Sequence, residues 1–120
     1  MPTVLVIDDD LMVREVLHDV LESAGFDVQV VEDGHRGLKI LLDDQVDLLI
    51  VDLEMPGVGG REVIQELRLR ESTLPIIALT SFARAALSDV LEMGVSRVYV
   101  KPFRVKELLE VVETSLAGAG

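Results

Sequence analysis

Short runs of branched apolar residues alternate along the whole chain with stretches whose apolar positions recur every three to four residues. The runs TVLVI (3–7), VQVV (28–31), LLIV (48–51), IIAL (76–79) and VYV (98–100) have the length and β-branched content of strands. Several are apolar without interruption, as a parallel sheet covered by helices on both faces requires. Between the first two, Val13, Leu17, Val20, Leu21 and Ala24 repeat at helical spacing and Gly25 follows as a stop signal. Leu38, Leu41 and Leu42 predict a second helix, Val63, Ile64 and Leu67 a third, Leu87, Val90 and Leu91 a fourth closed by Gly94, and Leu108, Leu109, Val112 and Leu116 a fifth. Strand and helix alternate five times, which predicts an α/β fold of stacked βαβ units, doubly wound around a five-stranded parallel sheet with five flanking helices.

Length and composition narrow this picture. At 120 residues the chain suits a single domain, 1–120, with no repeat, low-complexity tract or output domain in view. Hydrophobic residues make up 49% and aromatics 3%, so the core is expected to consist of Val, Leu and Ile. The net charge of −11 repels phosphate backbones and anionic lipid heads, which argues against direct nucleic-acid or membrane binding. The absence of cysteine excludes disulfides, thiolate metal sites and cysteine nucleophiles. No apolar run reaches the roughly 18 residues of a membrane span, and MPTVLVIDDD has neither a basic leader region nor a cleavage site, so a cytoplasmic protein is expected.

Ligands of an open parallel sheet sit beyond the carboxyl ends of its strands. Asp8 and Asp9 follow the first predicted strand, Asp52 the third, Thr80 and Ser81 the fourth, and Lys101 and Pro102 the fifth. Carboxylates gathered at one edge raise one another's pKa unless a cation lies among them. A hard divalent ion suits such oxygen donors, and Mg²⁺ commonly takes one or two carboxylates and completes its shell with water and phosphate oxygens. The acidic cluster therefore predicts a metal together with a phosphoryl ligand, for which Lys101 supplies positive charge and Thr80 a hydroxyl donor. Each residue taken singly also has a plainer role: Asp10 as the cap of the first helix, Thr80 as a local backbone cap, Lys101 as surface charge. His18 and His35 have no second ligand at useful spacing, and ELLEVVE (107–113) reads most simply as a solvated face.

Over nearly its whole length the sequence resembles the receiver domain of two-component response regulators, in the motifs VLVIDDD, LLIVDLEMPGVGG, PIIALTS and VYVKPF, in the family's order and spacing. The resemblance implies the flavodoxin-like, CheY-like strand order 2-1-3-4-5. It implies Asp52 as phosphoacceptor, taking a phosphoryl group from a sensor histidine kinase or a histidine phosphotransfer protein. Asp8 and Asp9 match the acidic pair that holds Mg²⁺, with Mn²⁺ as an alternative ion, and Asp52 and the backbone carbonyl of Glu54 complete the protein ligands. Lys101 matches the lysine that contacts the phosphoryl group, Thr80 the hydroxyl that moves towards it, and the Lys101–Pro102 bond is expected in cis. Phosphorylation would then shift the face formed by the fourth helix, fifth strand and fifth helix, read by a downstream effector or by an output domain outside this sequence. The chain would be no enzyme in its own right, but a signalling domain that assists its own phosphorylation and dephosphorylation.

The sequence also departs from the family's pattern. Val98 stands where the family usually has Tyr or Phe, and Tyr99, its neighbour on a strand, should face the opposite way. GVSRV (94–98) places Arg97 where an acidic residue is common, so a monomer or weak dimer is expected. Gly59 replaces a usual Asp or Asn cap. Glu54 and Phe82 lie where the family tunes phosphoryl lifetime, and bulky Phe82 is expected to hinder an attacking water. Three other readings compete: an aspartate-nucleophile phosphatase of the haloacid dehalogenase type, a flavodoxin-like electron carrier, and a receiver-like docking module independent of phosphorylation.

Overall fold

The structure, a computed structural model, describes residues 1–81 and 87–117. Five strands, β1 (Thr3–Ile7), β2 (Asp27–Val31), β3 (Leu48–Asp52), β4 (Ile76–Thr80) and β5 (Arg97–Val100), alternate with helices α1 (Leu11–Ser23), α2 (Gly34–Asp43), α3 (Gly60–Leu69), α4 (Leu87–Glu92) and α5 (Val105–Ala117). The strands form one parallel sheet in the order β2-β1-β3-β4-β5. The order implied by the resemblance is the observed one.

Burial follows the order of the sheet. The central strands β3 and β4 are buried throughout, whereas the edge strands β2 and β5 are only partly covered. That is why Asp27, Gln29 and Arg97 are tolerated at the edges while β3 reads as LLIV before its terminal acid. Alternate residues feed two cores. Leu5, Ile7, Leu49, Val51, Ile76 and Ala78 pack on one face with Val63, Ile64 and Leu67 of α3 and Val90 of α4. Val4, Val6, Leu48, Ile50, Ile77 and Leu79 pack on the other with Leu17 and Leu21 of α1 and Leu108, Val112 and Leu116 of α5.

The observed boundaries correct the predicted ones where polar residues end a strand. Asp52 and Thr80 are not the first residues beyond β3 and β4 but their last, held in register against Leu79 and Val100. Backbone pairing continues through them because it does not depend on side-chain polarity. On α1 the apolar stripe is shorter than predicted: Ala24 is the exposed C-cap, and Gly25 turns the chain at φ +97°. Leu42 and Leu91, counted towards the buried stripes of α2 and α4, are 49% and 53% exposed.

Two contacts place the β3–α3 connection. The Glu62 carboxylate accepts a hydrogen bond from the Gly59 N–H, the reciprocal half of a capping box, and so serves where Gly59 has no side chain to cap α3. Gly60 opens α3 against the end of β3 so closely that a Cβ there would lie 2.2 Å from the Asp52 carbonyl oxygen. Only glycine lets the helix start this near the acceptor strand.

Candidate functional site

Among the described residues, the buried polar or charged side chains are Asp8, Asp52 and Thr80, all at the carboxyl end of the sheet. Burying two acids and a hydroxyl together is expensive unless partners compensate them. Here one cation does so: Lys101 Nζ lies 2.8 Å from Asp8 Oδ2 and 3.2 Å from Asp52 Oδ2. The Lys101–Pro102 bond is cis, as expected.

The triplet after β1 separates into three roles. Asp8 is fully buried, and its Oδ1 accepts from the Asp10 N–H at 2.8 Å. Its Oδ2 faces the Lys101 ammonium at 2.8 Å, the one partner it has among the described residues. Asp9 is exposed beside it. Asp10 caps α1, accepting from the Met12 N–H at 2.9 Å, the plainer role foreseen for it. One group escaped the sequence reading: Arg14 donates to the Asp8 carbonyl at 2.8 Å and pins the β1–α1 turn. An arginine on a half-exposed helix face carries no local signal of such a bond.

Carboxylate oxygens of Asp8, Asp9 and Asp52 all lie within 4.8 Å of one another. All-oxygen donors, two of them on buried acids and one on an exposed acid open to solvent, fit a hard divalent ion such as Mg²⁺. Electrostatics point the same way. Burial, then the charge of Asp8, push the Asp52 carboxyl up from 3.8 to about 6, against the Glu54 N–H and Lys101, which favour its charged form. Lys101 is pulled down by burial, but its bonds to Asp8 and Asp52 outweigh this and raise it overall.

Glu54 does more than the sequence reading assigned to it. Its N–H donates to Asp52 Oδ1 at 3.1 Å, which orients the acid. Its carboxylate reaches across to β4, where Oε2 accepts from the Thr80 hydroxyl at 2.7 Å and Oε1 from the Ser81 N–H at 2.6 Å. Val98 packs with the core on the α3 side and Tyr99 with the core on the α5 side, against Phe103 at a ring separation of 6.2 Å. The two residues face opposite ways, as strand alternation predicts. Phe82 lies outside the described residues.

The family model for the response regulator receiver domain matches residues 4–113. The chain belongs to this family. Among curated relatives, the receiver is 43% identical over 111 residues to the probable transcriptional regulator ycf27 of Porphyridium aerugineum, covering 88% of this chain and 44% of that protein. It is 39% identical over 116 residues to the DNA-binding response regulator MtrA of Mycolicibacterium paratuberculosis, covering 94% of this chain and 50% of that one. The chain thus spans about half the length of these relatives. Among solved structures, it superposes with a TM-score of 0.94 on the receiver domain of the Francisella response regulator 1452, at 26% identity and full coverage of both chains. It superposes with a TM-score of 0.86 on the response regulator TrrA from Thermotoga maritima in complex with Mg²⁺-BeF, at 35% identity over 97% of this chain and 100% of that one. The family shown is that of receivers, not of haloacid dehalogenase-type phosphatases or flavodoxins. Among the described residues no helix is long and apolar enough to cross a membrane.

Proposed function

We propose that this receiver accepts a phosphoryl group on Asp52 from the phosphohistidine of a kinase or phosphotransfer protein, with Mg²⁺ held by Asp8, Asp9, Asp52 and the Glu54 carbonyl. The observation that carries the proposal is the convergence of the buried acids Asp8 and Asp52 with Lys101 at one strand end. An acid so buried, paired to one lysine and pushed up towards neutrality, is poorly justified as a structural element and well suited to a site completed by cation and phosphate.

In the reaction an Asp52 carboxylate oxygen forms a bond to phosphorus as the bond from phosphorus to the donor's imidazole nitrogen breaks, and the imidazole takes up a proton. Mg²⁺ held by Asp8, Asp9, Asp52 and the Glu54 carbonyl would neutralise charge on the transferring group. The Glu54 N–H holds Asp52 at one oxygen, and Lys101 offers its ammonium to the phosphoryl oxygens. The chain is a self-assisting acceptor rather than an enzyme acting on a separate substrate. Met12 and Val16 of α1 are 72% and 41% exposed and line a groove reaching Lys101, Pro102 and Phe103, an apolar approach for the donor protein. The face of α4, β5 and α5 would carry the signal to an effector or to an output domain such as the relatives' extra length allows.

Intact mass after incubation with Mg²⁺ and acetyl phosphate tests the proposal. One phosphoryl addition is expected, absent with EDTA and absent in Asp52→Asn. No addition to the folded parent chain would overturn it and favour a docking module independent of phosphorylation.

A further inference from the structure

The Glu54 carboxylate has an unusual seat. It is half-buried, its two oxygens take the Thr80 hydroxyl at 2.7 Å and the adjacent Ser81 N–H at 2.6 Å, and its own N–H is bonded to Asp52, the acid paired with Lys101. A hydroxyl and a backbone N–H on consecutive residues, both aimed at the anionic oxygens of one group, form a small anion-recognising pair. A phosphoryl group on Asp52, the acid that takes the Glu54 N–H, would present anionic oxygens of the same kind. The hydroxyl has one proton to donate, and a carboxylate already holding both donors excludes a second anion from them.

We infer that Glu54 acts as an internal stand-in for the phosphoryl group: its carboxylate occupies the Thr80 and Ser81 donors in the resting receiver, and leaves them when Asp52 is phosphorylated. The inference rests on the reading of Asp52 as acceptor. It makes Glu54 a positioning residue with two opposed effects. The backbone N–H on Asp52 Oδ1 helps to aim the acceptor, while the side chain withholds two phosphoryl contacts and adds a negative charge beside the incoming group. Because the backbone bond to Asp52 does not involve the side chain, displacement needs only rotation about the Glu54 side-chain bonds. The same contact bridges the ends of β3 and β4, so its release loosens that bridge as the phosphoryl group arrives. A plain loop tether would instead be neutral towards the anion.

Titration with beryllofluoride, a tetrahedral anion that stands in for the phosphoryl group, at saturating Mg²⁺ separates these readings. Calorimetry gives Kd for the parent, Glu54→Ala and Glu54→Asp, and circular dichroism confirms that each is folded. Glu54→Ala is expected to tighten beryllofluoride at least fivefold and to speed phosphorylation by acetyl phosphate by a similar factor. Glu54→Asp keeps the charge but is one methylene too short to span both donors, and is expected to tighten binding too, though less than Glu54→Ala. Unchanged or weaker binding in Glu54→Ala overturns the inference. So does a Glu54→Asp variant indistinguishable from the parent, which assigns the effect to charge alone. If the parent neither binds beryllofluoride nor takes a phosphoryl group, the acceptor reading itself fails, and the inference with it. A parent that is phosphorylated normally while the variants do not differ leaves that reading standing and removes only this one.

Discussion

Replacing Asp52 by asparagine should stabilise the metal-free receiver, and the gain should depend on pH. In the unfolded chain an aspartate ionises near 3.8, whereas burial and the neighbouring Asp8 hold the folded Asp52 to about 6. Between those values the folded chain keeps a proton the unfolded chain has lost. The stability associated with that proton is whole below about pH 3.8 and is lost as pH rises through about 6. At roughly 1.36 kcal/mol per pH unit, the interval between the two ionisations corresponds to about 3 kcal/mol at pH 7.5. Asparagine never ionises and still accepts through its carbonyl oxygen, but its NH₂ group sits badly beside Lys101, which takes back about 1 kcal/mol. Asp52→Asn is therefore expected to gain about 2 kcal/mol at pH 7.5 and, with little but the amide penalty left, to gain nothing or lose up to about 1 kcal/mol at pH 4. With no tryptophan and a single tyrosine, urea unfolding followed by far-ultraviolet circular dichroism in EDTA is the suitable assay. A variant no more stable than the parent at pH 7.5, or one with the same gain at pH 4, would refute the reasoning.

Other consequences can be tested alongside. Mg²⁺ affinity should fall about tenfold per pH unit below pH 6 as a proton competes for Asp52, which calorimetric titration at pH 5 and pH 7 measures. Lys101→Met leaves Asp8 and Asp52 facing each other without a cation, and should lose about 2–4 kcal/mol at pH 7.5 and less at pH 5, where Asp52 is protonated, as read by urea midpoints. Gly60→Ala drives a Cβ into the Asp52 carbonyl, against backbone that cannot fold away, and should lose about 1–3 kcal/mol while slowing phosphorylation. Arg68 donates to the carbonyls of Met93, Ser72 and Gly94 at 2.9, 2.8 and 3.0 Å, so Arg68→Met should lose about 1–3 kcal/mol and speed amide hydrogen exchange at the end of α4.

The fold was legible because its signals are periodic. Five β-branched runs and five helical stripes appear in the sequence as they do in the structure, and family resemblance supplied the strand order that local patterns do not carry. The site was legible where its residues end strands: Asp8, Asp52, Thr80 and Lys101 come together because a parallel sheet brings every carboxyl end to one edge. What could not be read were side-chain contacts with no periodicity to mark them. Arg14 on the Asp8 carbonyl, Arg68 tying the ends of α3 and α4, and Glu54 on Thr80 across 26 residues all use long side chains whose reach the sequence does not fix. Gly60 was hidden for the opposite reason, since its role lies in having no side chain.

Val98 constrains how a signal could leave this site. A ring at that position could report the state of Thr80 by turning inward or outward, but valine is β-branched, stiff at χ1, and packed into the core on the α3 side. It has no long lever to move. Tyr99 cannot substitute, because it lies on the other face of β5 against Phe103. Any change at Thr80 must therefore pass through backbone and through the groups that touch Thr80 directly. Glu54 is one such group, joined to the acceptor by its own N–H and to β4 by its carboxylate. On this geometry one residue both bonds the acceptor and tethers β4, so coupling through Glu54 would begin within one side chain of Asp52.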